Sequence, residues 1–439
     1  MSGLAVGGIG FAGMLALIAL RMPVGLAMLV AGSLGYAYMT SWDIFLNFIK
    51  STPYHLFSNY TLSVIPLFVL MGALAERGGQ SANLFRAAAA LVGRVRGGLA
   101  MAVIWAATVF GAICGSSVAT TATFGRAVLP ELRRYRYEPG LATGTIAISG
   151  VLGILIPPSI IIVVYAITTE QNIVKLFLAA LIPGILATLF YCGAVIWTVR
   201  RNPESAPLQE PAPRGTRRAT LRRVWPLVLV IVGALGGIYG GVFTATEGAA
   251  VGTVAMLLVA LAQRELSWAG FATSLSNTAE TTAMIFLILL GAAVFNAFLG
   301  LTQMPEQVAQ LVAGSGLPAY GVLVALLVIY ILLGAVMDEL AMILLTLPIF
   351  FPVVVALDFG LRPDEVAIWF GVLVLVVVGI GLAAPPIGMN VFVVSAIAAD
   401  VPIATTYRGV LPFIAADIIR LAILVAFPWL SLVLVRWLA

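Results

Sequence analysis

Long apolar stretches follow one another along nearly the whole chain, separated by short polar segments. The uninterrupted runs at 227–235, 284–293 and 366–382 lack the alternation of polar and apolar residues that a membrane β-barrel needs. A helix satisfies its own backbone hydrogen bonds in lipid, so the pattern predicts an all-α polytopic membrane protein. The predicted spans lie near 3–20, 23–40, 61–76, 139–168, 176–199, 225–241, 245–263, 280–299, 366–398 and 409–435.

Two further stretches, 98–130 and 319–352, carry small or polar residues at their middle. The first has Cys-Gly-Ser-Ser at 114–117, and the second has Met-Asp-Glu at 337–339. Polar residues at bilayer depth are tolerated where they face protein or a water-filled cavity. Each stretch is therefore predicted to form a re-entrant hairpin of two half-length helices rather than two spans.

The two halves of the chain carry similar motifs in the same order. GAICGSS, GILIPPSI and LIPGI follow one another in the first half, and GAVMDEL, GLAAPPIGMN and VLPFI follow one another in the second. In each half the Pro-Pro pair interrupts a long apolar stretch, which predicts a broken helix. The predicted organisation is a first repeat over 1–199 (hairpin 98–130, broken helix 139–168), a Pro-rich linker over 200–224, and a second repeat over 225–439 (hairpin 319–352, broken helix 366–398).

Charge predicts how the chain is oriented in the membrane. With the 200–224 linker in the cytoplasm, most of the 23 lysines and arginines fall on the cytoplasmic side, including Arg133 and Arg134. This asymmetry is what the positive-inside rule requires. The first hairpin then enters from the cytoplasm and the second from outside, so the repeats are predicted to be inverted, with both termini outside.

Composition excludes several classes of protein. Apolar residues make up 62% of the chain and charged residues only 9%, with a mean hydropathy of +1.11, so the bilayer is the expected solvent. Soluble enzymes, nucleic-acid binders and disordered scaffolds do not fit, and the net charge of +5 reflects cytoplasmic loops rather than a nucleic-acid partner. One histidine, His55, and two cysteines, Cys114 and Cys192, allow neither a metal cluster nor a histidine-based triad. No enzymatic activity is expected.

The hairpin tips and the Pro-Pro breaks are the candidate binding sites. Prolines remove amide donors, and the carbonyls that they leave free suit a desolvated cation such as Na⁺, while half-helix N-termini favour anions. The first predicted Na⁺ site comprises Gly115, Ser116, Gly153, Ile156 and Ser159. The second comprises Gly334, Asp338, Gly381, Ala384 and Ile387. The candidate substrate contacts are Ser117, Pro158, Asp338, Pro386 and Asn390.

Six segments together resemble one known family, the large membrane subunit (DctM-like, M subunit) of a tripartite ATP-independent periplasmic (TRAP) transporter. They are IPLFVLMGALAERGG (65–79), GSSVATTATFG (115–125), GILIPPSIIIVVYAITTE (153–170), LFLAALIPGI (176–185), GGIYGGVFTATEGAAVG (236–252) and APPIGMNVFV (384–393). Members of this family often carry Thr at the second break, where this chain has Ala384. The second predicted Na⁺ site therefore lacks that hydroxyl ligand. The resemblance as a whole covers nearly the entire chain.

The resemblance implies an elevator-type importer in the bacterial inner membrane, with Na⁺ as the coupling ion. It implies two protein partners besides the lipid bilayer: a small four-helix membrane subunit (Q-type) and a periplasmic substrate-binding protein (P-type) that delivers a small organic acid. It implies no nucleic-acid partner.

Three alternatives remain at the level of the sequence. One is a non-transporting scaffold subunit, which would not need the mid-membrane Ser-Ser and Pro-Pro pairs. A stand-alone Na⁺- or H⁺-coupled anion transporter of similar inverted-repeat design would share the hairpins and the breaks, and a neighbouring gene for a binding protein separates the two cases. A membrane-embedded enzyme is disfavoured, because the sequence offers no nucleophile–base pair and the paired helix breaks would then have no purpose.

Overall fold

A computed structural model gives the architecture of the chain and describes residues 2–93, 95–208 and 214–438. Arg94 and residues 209–213 of the predicted linker lie outside the described residues, as do the side chains of residues 214–217 and 313. The described part of the chain is helical and contains no strand. The predicted all-α class is therefore confirmed.

The half of the chain before residue 200 folds into ten α-helices and one short 3₁₀ helix, Tyr60–Ser63, within the described residues. The α-helices are α1 (Gly3–Ala19), α2 (Val24–Met39), α3 (Trp42–Phe57), α4 (Val64–Arg77), α5 (Gln80–Val92), α6 (Gly98–Cys114), α7 (Ser117–Arg134), α8 (Pro139–Leu155), α9 (Ile160–Thr168) and α10 (Ile173–Arg201).

The remainder folds into ten more α-helices after a 3₁₀ turn at Pro203–Ser205, again counting only described residues. They are α11 (Arg214–Tyr239), α12 (Ala245–Ala262), α13 (Trp268–Thr302), α14 (Met304–Ala313), α15 (Ala319–Gly334), α16 (Glu339–Val355), α17 (Pro363–Ala383), α18 (Met389–Ile397), α19 (Ile403–Ala426) and α20 (Trp429–Leu438). The helix α11 begins within the stretch predicted as linker, so only part of 200–224 connects helices.

Both predicted hairpins are present as pairs of short helices. Between α6 and α7 the chain turns at Gly115, which has φ 62°, a left-handed conformation that glycine adopts without strain. Ser116 follows as the N-cap of α7 and accepts a hydrogen bond from the Ala119 amide. Between α15 and α16, Asp338 is the N-cap and accepts from the amides of Leu340 and Ala341.

Both predicted breaks are present as well. The helices α8 and α9 meet at 42°, with Pro157 and Pro158 between them, and Pro385 and Pro386 separate α17 from α18. The Pro157–Pro158 and Pro385–Pro386 peptide bonds are both cis. Seven of the described helices are long and apolar enough to cross a membrane, or eight if the α8–α9 pair counts as one span.

Two groups of helices can be distinguished by their contacts, and they are joined where α4 and α5 pack against α6. In the first group α2 lies along α13, and α4 packs against α12 and α13. In the second group α8 contacts α6, α7 and α19, and α17 contacts α15 and α19. The second group contains the most completely buried helices, since α8 is buried from Gly140 to Leu155 and α17 from Glu365 to Ala383. The main hydrophobic core is continuous through both groups and also includes residues of α2, α4, α12 and α13. Both hairpins and both breaks belong to the second group.

The bases of the two hairpins lie at opposite ends of the second broken helix. At the end of the first hairpin, Arg133 forms an ion pair with Asp400, which follows α18. This contact holds the pKa of the Asp400 carboxyl below its ordinary value. At the start of the second hairpin, Tyr320 packs edge-on against Phe359 and Trp369, close to the start of α17. The inversion of the two repeats and their boundaries stay a prediction.

Three helices have no counterpart in the predicted spans: α3, α5 and α14. Each is shorter or more amphipathic than a membrane span, and α3 carries Asp43, Lys50 and His55 along its length. A search for long apolar runs does not detect such helices, because their polar positions interrupt every run. The structure also extends the predicted span at 280–299 into the 35-residue helix α13.

Candidate functional site

The tip of the first hairpin lies directly against the first helix break. The Ile160 amide, at the start of α9, donates a hydrogen bond to the Gly115 carbonyl at 3.3 Å. A β-carbon placed on Gly115 would lie 3.1 Å from the Pro158 carbonyl oxygen. We call this contact between the first tip and the first break the first junction; it brings Gly115, Ser116, Pro158 and Ser159 together.

Gly153 brings the end of α8 into the first junction. A β-carbon at this position would lie 2.5 Å from the Thr120 hydroxyl and 2.7 Å from the Ser116 carbonyl oxygen, so no larger residue fits. Ile156 is buried, and its Cδ1 atom packs towards Gly184 of α10. Only the backbone of Ile156 can therefore contribute to a binding site. All five residues of the first predicted Na⁺ site lie at this junction.

The Ser159 hydroxyl is the most informative polar group of the first junction. Ser159 is fully buried, and its Oγ has no hydrogen-bond partner among the described residues. It stands at the N-cap position of α9 without capping that helix. Buried hydroxyls are almost always paired, so an unpaired one beside freed carbonyls fits a bound ion or ligand.

The substrate candidates Ser117 and Asn390 are in direct contact. Asn390 Nδ2 donates to Ser117 Oγ at 2.8 Å and to the Ala147 carbonyl at 3.1 Å. The Ser117 hydroxyl in turn lies 3.1 Å from Asn390 Oδ1. Both side chains are fully buried, so α18 of the second half completes a polar cluster that begins at the first hairpin.

Thr121 belongs to the same cluster and was missed by the sequence analysis. Its hydroxyl is buried, has no partner among the described residues, and faces Gly150, where a β-carbon would lie 1.8 Å from it. The same β-carbon would lie 3.1 Å from Asn390 Nδ2. Thr121 is one helical turn after Ser117 on α7, and this spacing is the signal that could have identified it.

The second hairpin meets the second break through backbone contacts. The amides of Ile387 and Gly388 donate to the Ala335 carbonyl at 3.2 and 3.3 Å. A β-carbon on Gly381 would lie 2.6 Å from the carbonyl carbon of Gly334, so α15 and α17 touch backbone to backbone here. We call this contact the second junction; of the second predicted Na⁺ site, Gly334, Gly381 and Ile387 take part in it. Ala384 follows the end of α17 and Asp338 precedes α16, each within four residues of the contact along the chain.

The second junction differs chemically from the first. Ala384 provides no hydroxyl, and the Asp338 carboxylate caps α16. The Tyr407 hydroxyl, on α19, lies 2.6 Å from the Ile387 carbonyl oxygen and 2.9 Å from that of Pro386, in position to donate to either. Pro386 and Ile387 are exposed, whereas the residues of the first break are buried. Tyr407 was also missed, because nothing in the local sequence connects it with a break 20 residues earlier.

The predicted substrate residues therefore divide between the two junctions. Ser117, Pro158 and Asn390 lie at or beside the first, and Asp338 and Pro386 lie at the second. The oxygen atoms available at the first junction are carbonyls and hydroxyls, which suit a hard, weakly charged cation, and the Asn390 amide can donate to an anion. Among the described residues there is no cluster of histidine, cysteine and carboxylate groups able to hold a metal.

A buried ion pair lies apart from both junctions, on α19. Arg420 Nη2 donates to Asp417 Oδ1 at 2.7 Å, and the Tyr191 hydroxyl donates to Asp417 Oδ2 at 2.7 Å. Arg420 Nη1 also donates to the Pro183 carbonyl at 3.2 Å. Every charged group in this network has a partner, so it ties α10 to α19 rather than offering a free site.

Comparison with protein families gives one match over nearly the whole chain. The family model described as "Tripartite ATP-independent periplasmic transporter, DctM component" matches residues 11–430.

Individual relatives agree with this match. The chain is 36% identical to the C4-dicarboxylate TRAP transporter large permease protein DctM of Pseudomonas aeruginosa over 87% of each chain. It is 31% identical to the sialic acid TRAP transporter large permease protein SiaM of Vibrio cholerae over 96% of each chain.

Among solved structures, the chain is similar to the crystal structure of the Alcanivorax borkumensis YdaH transporter, with a TM-score of 0.57. The match covers 88% of this chain and 90% of that one at 16% sequence identity. At this identity the likeness concerns the fold alone.

Proposed function

The chain belongs to the DctM component family of tripartite ATP-independent periplasmic transporters, and on that premise we propose that it is a Na⁺-coupled importer of a small organic acid. As a large permease subunit it is a multi-pass membrane protein and a transporter, not an enzyme. The coupling ion, the substrate class and the transport movement are the proposed parts.

The first junction carries the proposal of Na⁺ coupling. It places the unpaired, buried Ser159 hydroxyl beside the carbonyls that Pro157 and Pro158 leave without helical partners. Oxygen ligands without formal charge suit Na⁺, and broken helices at the centre of a transporter are where coupling ions bind. The matching second junction supports a second ion less well, because Ala384 adds no hydroxyl and the Tyr407 hydroxyl lies within hydrogen-bond distance of the carbonyls there.

The substrate is proposed to bind at the Ser117–Asn390 pair. The names of the relatives include a C4-dicarboxylate and a sialic acid permease, and both ligands carry carboxylates. A carboxylate can accept a hydrogen bond from the Asn390 side-chain amide, and the positive end of the α7 helix dipole stabilises its charge. The pair joins a hairpin of one half to a broken helix of the other, as a site between two repeats requires.

The two packing groups support an elevator-type movement. Both hairpins and both breaks lie in the group around α8 and α17, and the other group is built around α2, α4 and α13. We propose that the group around α8 and α17 moves as a unit past the group around α2, α4 and α13. The proposal also includes a small four-helix membrane subunit and a periplasmic binding protein as partners, with both termini of this chain on the periplasmic side of the inner membrane.

Reconstituted vesicles test the proposal. Uptake of a C4-dicarboxylate should require the binding protein, both membrane subunits and an inward Na⁺ gradient. Transport by this chain alone would favour the stand-alone alternative. Full replacement of the Na⁺ gradient by a proton gradient would show that Na⁺ is not the coupling ion.

A further inference from the structure

A basic cleft of about 1100 Å³ opens at the arginine-rich end of α11, away from both junctions. Its walls are formed by Arg218, Ala219, Arg222, Arg223, Pro226, Gln263 and Glu265. Among the described residues, the lining contains three arginines and one glutamate, so it carries an excess of positive charge. A hydrogen bond joins the turn after α12 to α11 here: the side-chain Nε2 of Gln263 donates to the Arg223 carbonyl oxygen at 3.2 Å.

The cleft lies where α11 enters the membrane. The candidate span of this helix is Arg218–Tyr239, and Trp225, which is 56% exposed, lies about two turns inside it. Tryptophan at this depth marks the boundary between headgroups and acyl chains. Past it, α11 exposes Leu229 and Val232 to lipid. A ligand seated in the cleft would therefore have water on one side and hydrocarbon on the other.

The neighbouring helix α12, which packs against α11, also exposes apolar residues. On α12 the exposed residues are Leu261, Leu258 and Val254, at helical spacing below the Gln263 turn. A basic cleft that opens onto two apolar helix faces fits a ligand with both a phosphate and acyl chains. A free anion would use only the arginines and would leave this apolar surface without a role.

We propose that the cleft binds the headgroup of an anionic phospholipid of the phosphatidylglycerol type. The phosphate lies against Arg218, Arg222 and Arg223, whose planar guanidinium groups match phosphate oxygens in pairs. Glu265 accepts hydrogen bonds from the hydroxyls of the headgroup, and the acyl chains follow the exposed faces of α11 and α12. Clusters of arginine immediately cytoplasmic of a span are typical of anionic-lipid sites.

Native mass spectrometry of the full chain in detergent, titrated with phosphatidylglycerol or phosphatidylcholine, tests this site. Arg218→Gln with Arg222→Gln should weaken phosphatidylglycerol retention roughly 30-fold, because each arginine near the membrane surface contributes about a factor of five. Arg222→Gln alone should weaken retention about fivefold. The matched control is Arg200→Gln with Arg201→Gln, which removes the same charge from the end of α10 and should leave retention unchanged.

Four outcomes would overturn the site. They are equal losses in the two double variants, unchanged retention in Arg218→Gln with Arg222→Gln, equal retention of phosphatidylcholine, and displacement of the lipid by an equal concentration of inorganic phosphate. The last outcome would indicate a site for free anions. Thermal unfolding in phosphatidylcholine alone should be the same for all variants, which keeps a folding defect from being mistaken for a binding defect.

Discussion

The Asn390 amide nitrogen donates a hydrogen bond to the Ser117 hydroxyl at 2.8 Å, although the two residues lie 273 positions apart. This contact links the first hairpin to the second broken helix in the fully buried core. A ligand that displaces one side chain from the pair must satisfy the other, because an unpaired buried polar group costs about 1–3 kcal/mol. The affinity of the site for a polar substrate therefore depends on both halves of the chain.

Asn390→Ala is expected to reduce uptake at least roughly tenfold, because it removes the amide that would contact the substrate and leaves Ser117 without its partner. The initial rate of substrate uptake into reconstituted vesicles measures the effect. Asn277→Ala, at an exposed position on α13, is the matched control and should transport normally. Uptake by Asn390→Ala at the control rate would place the substrate elsewhere.

Ser159→Ala should raise the Na⁺ concentration needed for half-maximal uptake roughly tenfold and leave the unliganded protein as stable as before. The hydroxyl has no protein partner among the described residues, so its loss removes only a proposed ion ligand. Ser431→Ala is a close control, since that hydroxyl on α20 is also buried and unpaired within the described residues. If the Na⁺ dependence of uptake were identical in the two variants, Ser159 would not be a ligand of the coupling ion.

Gly153→Ala should abolish uptake and destabilise the protein by about 1–3 kcal/mol, the usual cost of inserting a methyl group into a packed contact. The added β-carbon would collide with the Ser116 carbonyl and the Thr120 hydroxyl. Gly193→Ala, on α10, has open space around its β-carbon and should be tolerated. Thermal unfolding and uptake are measured for both variants. A fully active and stable Gly153→Ala protein would contradict the close contact of α8 with Ser116 and Thr120.

Asp417→Asn should lower the free energy of unfolding by about 3–5 kcal/mol, because Arg420 would keep its charge without a carboxylate partner. Replacing the pair together, as Asp417→Leu with Arg420→Met, should recover most of the loss, since two apolar residues leave no buried charge. Denaturation in detergent measures both effects. Glu306→Gln, at an exposed position on α14, controls for the loss of one negative charge. An Asp417→Asn protein as stable as this control would show that the pair contributes little.

The sequence was sufficient for the features that depend on local chemistry. Two hairpins and two breaks could be predicted, because a glycine-serine turn or a proline pair interrupts a helix whatever surrounds it. The positions at the first junction follow from the same interruptions. Likewise, long apolar runs identify spans without knowledge of their neighbours.

The remaining features depend on which helices become neighbours. Tyr407 reaches the second break only because α19 packs beside it, and Asp417 contacts Tyr191 across two helices. Neither contact can be predicted from the residues that neighbour it in the sequence. The amphipathic helices α3 and α5 were missed for a related reason: their apolar residues become contiguous only on the folded face.

The two helix breaks differ in solvent exposure, and this difference can be used to follow movement of the protein by cysteine labelling. Ile387 is 36% exposed while Ser159 is fully buried, and both native cysteines, Cys114 and Cys192, are buried as well. A cysteine introduced at position 387 would therefore react with a thiol reagent while the native cysteines do not. A cysteine introduced at position 159 would be buried and would react slowly. If the group around α8 and α17 moves during transport, the rate at which a water-soluble maleimide labels these positions would change. The movement could therefore be followed without a label on the substrate.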